Sequence, residues 1–209
     1  MQFPLLIVPA GGDGTRMGGA EKWKLEIRGK RVIDWILDYW APYCGKAVVV
    51  VKEGNPKEHN RTFGGMAVDY LPVNTPTVNA AILEGLRFHG APERFLVVLG
   101  DCLVDGVFEW TFLHPPEYHL SGAAIIEGDT DFNRSYAVDD RGGLITGVIE
   151  KPTCGMGVYT FTWFDLPALI SDRGITGALR YLTKEGKLRP IPYSGRYLNI
   201  TYSEDLQRW

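Results

Sequence analysis

Cysteine is scarce in this chain: Cys44, Cys102 and Cys154 are the only three among 209 residues. Their wide separation matches no zinc motif, and so odd and sparse a set gives no disulfide framework. It fits a reducing, cytoplasmic setting in which cysteine serves as a small buried hydrophobe. No apolar run approaches the roughly 18 residues of a membrane span, and no basic stretch opens a signal peptide at the N-terminus. Neither sign of charge dominates. A net charge of −3 offers no general surface for nucleic acid, although a local basic pocket remains allowed. Histidine is limited to His59, His89, His114 and His119, read as structural or solvent-facing, and Pro115-Pro116 breaks helical spacing between the last two. No Ser–His nucleophile arrangement is recognisable. Repeats, low-complexity tracts and long Pro/Gly/Ser linkers are also missing, which predicts one domain over residues 1–209. Residues 1–105 and 106–209 are its expected halves. Self-association is left open.

What is present is concentrated at the start. Leu5-Leu6-Ile7-Val8 reads as a buried strand and runs directly into Pro9-Ala10-Gly11-Gly12-Asp13-Gly14-Thr15-Arg16-Met17-Gly18-Gly19. Glycine permits positive φ and close backbone approach, so several N–H groups can converge on an anion. Arg16 and Lys22 then supply cations for phosphate oxygens. Neither common phosphate motif is matched. No Lys-[Ser/Thr] pair follows Gly14, as a Walker A loop requires, and the third glycine of G-x-G-x-x-G is missing. A plain glycine-rich strand-to-helix turn is the simpler alternative.

Further along, strands are predicted at 47–51, 67–71 and 95–99, and helices at 31–40 and 77–88. This alternation predicts an α/β fold with a mostly parallel sheet. The second half changes texture. Strand-like segments at 123–127, 135–138, 144–150 and 157–161 suggest antiparallel or mixed additions. A short helix at 178–184, strands at 188–191 and 197–200, and a helix start capped by Ser203 follow.

Ligands of open α/β sheets bind beyond the carboxyl ends of the strands. The glycine-rich turn and Gly100-Asp101 both fall there. A carboxylate beside a phosphate site is placed to hold Mg²⁺, which takes one or two carboxylates plus phosphate oxygens; an Asp serving a turn is the plain alternative. Glu150-Lys151-Pro152 offers a hydroxyl acceptor next to a phosphate cation, or merely a surface charge pair. Asn199, late in a strand, offers a neutral oxygen to a cation or substrate.

Taken in order, these pieces resemble the sugar-1-phosphate nucleotidyltransferases. The family's opening A-G-G-x-G-T-R-[LM] and its following lysine correspond to Ala10–Met17 and Lys22. Gly100-Asp101, Glu150-Lys151-Pro152, Gly157-Val158-Tyr159 and Asn199–Leu206 match later family motifs. The resemblance covers nearly the whole chain and implies a nucleotide-binding half, about residues 1–105, and a sugar- or acceptor-binding half, about 106–209. It implies a Rossmann-like three-layer α/β/α fold with a mixed, mostly parallel central sheet. It implies a Mg²⁺-dependent reaction joining an NTP to a phosphorylated small molecule, a sugar 1-phosphate in most of the family, with release of pyrophosphate. Arg16, Lys22 and Asp101 are then catalytic. Ala10, Gly11, Gly12, Asp13, Gly14, Thr15, Thr77, Asn79 and Gly100 bind the nucleotide, while Glu150, Lys151, Gly157 and Tyr159 bind the acceptor. Asp101 and Asn199 hold the metal.

Three departures bear on the substrate. Glu21 precedes Lys22 where the family usually has proline, and Arg16-Met17-Gly18-Gly19 followed by Glu21-Lys22 is similar to guanylyltransferases of molybdenum cofactor and cobinamide assembly. Thr77-Val78-Asn79-Ala80-Ala81 replaces the glycine-containing base-binding stretch, which leaves the base open. Asn199 replaces the more frequent Asp. Transfer to a non-sugar phosphate, such as a pterin, cobinamide, choline or polyol phosphate, is therefore the competing enzymatic reading. A non-catalytic nucleotide-sugar-binding regulatory protein is the competing class, against which Arg16, Lys22 and Asp101 argue. Asp129-Thr130-Asp131 has the spelling of a glycosyltransferase metal motif, but in an expected loop.

Overall fold

The computed structural model describes residues 3–54, 61–110, 120–126, 136–138, 143–148, 156–170 and 174–209. The first half contains β1 (Leu6–Pro9), β2 (Glu26–Ile27), β3 (Lys30–Arg31), α1 (Val32–Trp40), β4 (Lys46–Val51), β5 (Arg61–Phe63), β6 (Met66–Pro72), α2 (Val78–His89), β7 (Arg94–Val98) and β8 (Cys102–Phe108). The second contains β9 (Ser121–Ile126), β10 (Tyr136–Val138), β11 (Ile145–Val148), β12 (Val158–Thr162), α3 (Leu166–Ile170), α4 (Gly174–Lys184) and β13 (Leu188–Asn199).

Nine strands form the central sheet in the order β5-β6-β4-β1-β7-β12-β9-β13-β8. The pairings make six of them run one way, with β5, β12 and β8 reversed. The fold is thus α/β with a mixed, mostly parallel sheet. Leu6, Ile7, Val8 and Val48–Val50 are buried, as strands covered on both faces must be. From β1 the chain crosses through α1 to β4 on one side, and later returns through α2 to β7 on the other. Right-handed crossovers of opposite sense put the two helices on opposite faces. The strand order reverses at β1, so the crevice beyond β1 and β7 is a topological switch point.

Local sequence explains the flanking elements. Val32, Ile33, Ile36, Leu37 and Trp40 form the buried stripe of α1. That helix lies against β8, where Trp40 meets Phe108 at 5.2 Å and the Tyr39 hydroxyl donates to Gly106 O at 2.7 Å. Thr77 caps α2, its Oγ1 accepting from Ala80 N at 3.1 Å. Helices α3 and α4 pack beside α2.

The structure departs from expectation in three places. The segments at 188–191 and 197–200 are one strand, β13, which pairs parallel with β9 and then antiparallel with β8. Ser194-Gly195 looks like a turn in sequence, but Gly195 faces Gly106 across the ladder. A Cβ on Gly106 would stand 2.2 Å from Ser194 O, so two glycines allow a backbone approach that side chains would prevent. Strand β8 itself was hidden by Asp105-Gly106, both poor strand residues. Finally, the C-terminal turn at Ser203–Gln207 is not capped by Ser203. Asp205 reaches back instead, accepting from Thr201 N and Tyr202 N, each at 2.8 Å.

Burial works to raise the Asp205 pKa, but the two backbone N–H groups and Arg208 outweigh it and hold the carboxyl below its ordinary value. A carboxylate depressed on folding stabilises the fold above its unfolded pKa, and that stabilisation is lost as pH falls through the folded pKa. Asp205→Asn should cost about 1 kcal/mol at neutral pH. The difference should begin to narrow as pH falls below the ordinary aspartate value of about 3.9 and go on narrowing through the lower folded value. Denaturant unfolding at both pH values checks this, and a gap independent of pH would contradict it.

Candidate functional site

A cleft of about 910 Å³ opens at the switch point. Residues 9–16 form one wall, with Lys22, Trp23 and Lys52; residues 73–78 with Ala81 form another; Leu99, Gly100 and Asp101 close it. Met17 N and Gly19 N both donate to Gly14 O, at 2.8 and 3.0 Å, folding the glycine run into a tight turn. Gly14 has φ +56°, and a Cβ there would stand 1.9 Å from Ala20 O. The fold therefore requires this glycine. Gly12 is different: nothing lies within 4 Å of where its Cβ would be. No protein packing demands glycine at that position, and the space in front of it is open to a ligand.

Parallel pairing of β1 with β7 brings the second motif to the first. Gly100 N donates to Pro9 O at 3.0 Å, and a Cβ on Gly100 would stand 2.9 Å from Ala10 Cβ. This close approach delivers Asp101 to the glycine loop. Lys22 arrives on a short helical turn, Lys22–Lys24, whose Trp23 is buried. Lys22 Nζ lies 2.7 Å from Asp101 Oδ2, with both side chains about one-quarter exposed. Arg16 is exposed on the loop, at the wall of the same cleft.

Lys52, immediately beyond β4, was not singled out in the sequence. Its Nζ pairs with Asp13 Oδ1 at 2.7 Å across the cleft mouth. The hydrogen bond and charge of Lys52 lower the Asp13 pKa, and those of Asp13 raise the Lys52 pKa. The available signal was positional, since a lysine directly follows the carboxyl end of a buried strand.

Asn199 ends β13 in register with Cys102, and Ile200 N donates to Asp101 O at 2.9 Å. Asp101 and Asn199 thus share one corner. The Asn199 Oδ1 is buried and has no hydrogen-bond partner. An unpartnered hard oxygen beside a carboxylate fits Mg²⁺, whose remaining positions are usually filled by phosphate oxygens and water. Among the described residues there is no cluster of three or more His, Cys, Asp or Glu side chains. Burial, followed by the neighbouring Asp101 charge, pushes the Cys102 thiol well up; burial does the same to the Tyr197 hydroxyl. Both stay protonated.

Most expected site residues meet here: Ala10, Gly11, Gly12, Asp13, Gly14, Thr15, Arg16, Lys22, Thr77, Gly100 and Asp101 all line the cleft. The Thr77 hydroxyl is engaged in capping α2. Gly157, at φ +63°, supports the Asp101 corner from behind: its carbonyl accepts from Leu99 N at 2.8 Å, and a Cβ would meet Cys102 Sγ at 2.4 Å. Tyr159 is buried in β12 between Val97 and Ala123. Asn79 is not brought to the cleft wall; it is buried, and its Nδ2 donates to Gly174 O at 3.1 Å, tying α2 to α4. Glu150, Lys151 and the Asp129-Thr130-Asp131 segment lie outside the described residues, as do Cys154, His59, His114 and His119. No helix among the described residues is long and apolar enough to cross a membrane.

Comparison with known proteins agrees with this geometry. The chain is 26% identical over 207 residues to the molybdenum cofactor guanylyltransferase of Cereibacter sphaeroides, covering 97% of this chain and 93% of that protein. Among solved structures, UDP-glucose pyrophosphorylase complexed with UDP-glucose matches 99% of this chain and 97% of its own, with a TM-score of 0.76 and 20% identity. The inositol-1-phosphate CTP transferase from T. maritima matches 98% and 92%, with a TM-score of 0.70 and 16% identity. These structures share the fold. Residues 6–112, just over half of the chain and the part that builds the cleft, match the MobA-like NTP transferase domain. The chain therefore belongs to the MobA-like NTP transferase family and is a nucleotidyltransferase.

Proposed function

We propose that the enzyme transfers a nucleoside monophosphate from an NTP to the phosphate of a small non-sugar acceptor, with GTP as donor and a pterin-type phosphate as acceptor. The observation that carries the chemistry is the meeting of Lys22 and Asp101 at the end of the glycine loop, 2.7 Å apart. The acceptor class is supported by the end-to-end similarity to a molybdenum cofactor guanylyltransferase and by Gly18-Gly19-Ala20-Glu21-Lys22.

An acceptor phosphate is already anionic, so its oxygen attacks the α-phosphorus without a general base. The new P–O bond forms as the bond to the β-phosphate oxygen breaks, and pyrophosphate leaves with the electron pair. Catalysis is then positioning and charge stabilisation. Amides of Gly11, Gly12 and Gly14 hold the triphosphate, since those of Met17 and Gly19 are engaged within the turn. Arg16 neutralises the leaving pyrophosphate. Lys22, released from Asp101, bridges the α-phosphate and the attacking phosphate. Asp101 and Asn199 would hold Mg²⁺, which supplies charge neutralisation on the phosphates.

A second reading, transfer to a sugar 1-phosphate, is favoured by Glu150-Lys151-Pro152, a carboxylate for hydroxyls beside a phosphate cation. Incubating the protein with each of four NTPs against pterin-phosphate and sugar 1-phosphate acceptors, with products read by mass, separates the two. GTP with the pterin phosphate should give product and pyrophosphate; a nucleotide sugar as the main product would overturn the first reading in favour of the second.

Arg16→Ala should lower kcat about a hundredfold, the loss typical of one preorganised contact to developing charge. Its unfolding midpoint should be unchanged, and normal turnover would remove Arg16 from the mechanism. The two loop glycines should separate in their effects. Gly14→Ala should destabilise the fold by more than about 1 kcal/mol, because a side chain there meets backbone at positive φ. Gly12→Ala should leave stability unchanged while weakening NTP binding. Thermal unfolding and nucleotide titration of both variants test this.

A further inference from the structure

Behind the Asp101 corner, two side chains with no role in the proposed chemistry connect the two expected metal ligands. The Cys102 thiol lies 3.6 Å from Asp101 Oδ1 and donates to it. The Tyr197 hydroxyl is hydrogen-bonded with the Cys102 thiol, and the Asn199 amide with that hydroxyl. Register places these groups together, because Asn199 is opposite Cys102 across the ladder and Tyr197 is two residues earlier, on the same face of β13.

The direction of this chain follows from its end point. An ionised carboxylate only accepts hydrogen bonds, so the thiol must donate to Asp101. The sulfur is then the acceptor, which makes the Tyr197 hydroxyl donate to it. The Tyr197 oxygen in turn can only accept, so Asn199 must present its NH₂ and not its carbonyl. The outcome is an amide held in one of its two orientations, with Oδ1 left over. That atom is buried without a partner. The other Asp101 oxygen is held by Lys22 at 2.7 Å, so the rotation of the carboxylate is fixed as well.

We infer that Tyr197 is a positioning residue which, through Cys102 and Asp101, fixes the Asn199 amide so that its oxygen and not its nitrogen is offered to a divalent cation. This rests on the reading that Asp101 and Asn199 hold the metal. An amide turned the other way would present two N–H donors to a cation, so orientation decides between a ligand and a repulsive group. Supports of this kind typically change metal affinity by 10- to 100-fold.

The test uses Mn²⁺ as probe, the whole chain, and a GTP analogue that cannot be cleaved between the α- and β-phosphates. Bound Mn²⁺ is counted by electron paramagnetic resonance. Tyr197→Phe removes one oxygen and keeps the ring. It should weaken Mn²⁺ binding by about tenfold or more while leaving analogue binding in the absence of metal unchanged. Asn199→Asp supplies the decisive comparison, because a carboxylate presents oxygen from either end and needs no orientation. In that background, Tyr197→Phe should change Mn²⁺ affinity by less than about twofold. An equal loss in both backgrounds would mean that Tyr197 acts by packing alone and would overturn the inference. So would a wild-type background unaffected by Tyr197→Phe. If the wild-type protein binds no Mn²⁺ with the analogue, the metal reading itself fails together with the inference; nucleotidyl transfer is assayed separately by pyrophosphate release.

Discussion

The site depends on parallel pairing between β1 and β7. Those two strands are far apart in sequence, and each carries part of the cleft at its carboxyl end: the glycine loop after β1, and Asp101 after β7. Pairing alone would bring the ends only to ordinary strand spacing. The missing side chain at Gly100 lets that backbone close onto Ala10, with a hydrogen bond to Pro9 O at 3.0 Å. Lys22 can then reach Asp101 from the far end of the loop. A larger residue at Gly100 would push the two ends apart before it affected any catalytic side chain.

The first half of this arrangement was legible in the sequence because its signals are local. A continuous apolar run has to be a buried strand, and a glycine-rich turn after it has few uses other than backbone approach to an anion. The amphipathic spacing of α1 and α2 separates the strands at distances that only a parallel sheet accommodates. The second half was harder to read because its determinants are pairwise. Gly106 and Gly195 each look like breakers alone, and only their juxtaposition across β8 and β13 makes a close ladder. Asn79 was misleading for a related reason. It falls in the expected base-binding stretch, but the side chain sits on the buried face of α2, where its amide nitrogen donates to Gly174 O. Lys52 escaped attention because a single lysine after a strand has no motif; its meaning comes from Asp13, 39 residues away.

The corner at Asp101 also shows how the ends of the chain are joined in function. Its carboxylate comes from the middle of the sequence and its amide oxygen from the last strand. The turn that follows that strand is tied down by Asp205 through the N–H groups of Thr201 and Tyr202. Ile200, between Asn199 and that turn, donates to Asp101 O. Loosening of the C-terminal turn therefore reaches the Asp101 corner through only a few bonds, although no residue of the turn lines the cleft.

Leaving the Asn199 oxygen buried and unpaired carries a free-energy cost, of about 1–3 kcal/mol for a neutral polar group. A fold selected only for stability would turn the amide, or replace it, to satisfy that atom. Cys102 and Tyr197 prevent the turn, and the carboxylate that orients them is the one the proposed chemistry requires. On the proposed reading, binding a cation would satisfy the orphaned oxygen and remove the penalty, and part of the folding free energy would be held in reserve for ligand binding. On the proposed metal reading, one carboxylate and one oriented amide would hold a cation firmly only when nucleotide phosphates complete its shell, which would couple metal retention to the presence of substrate.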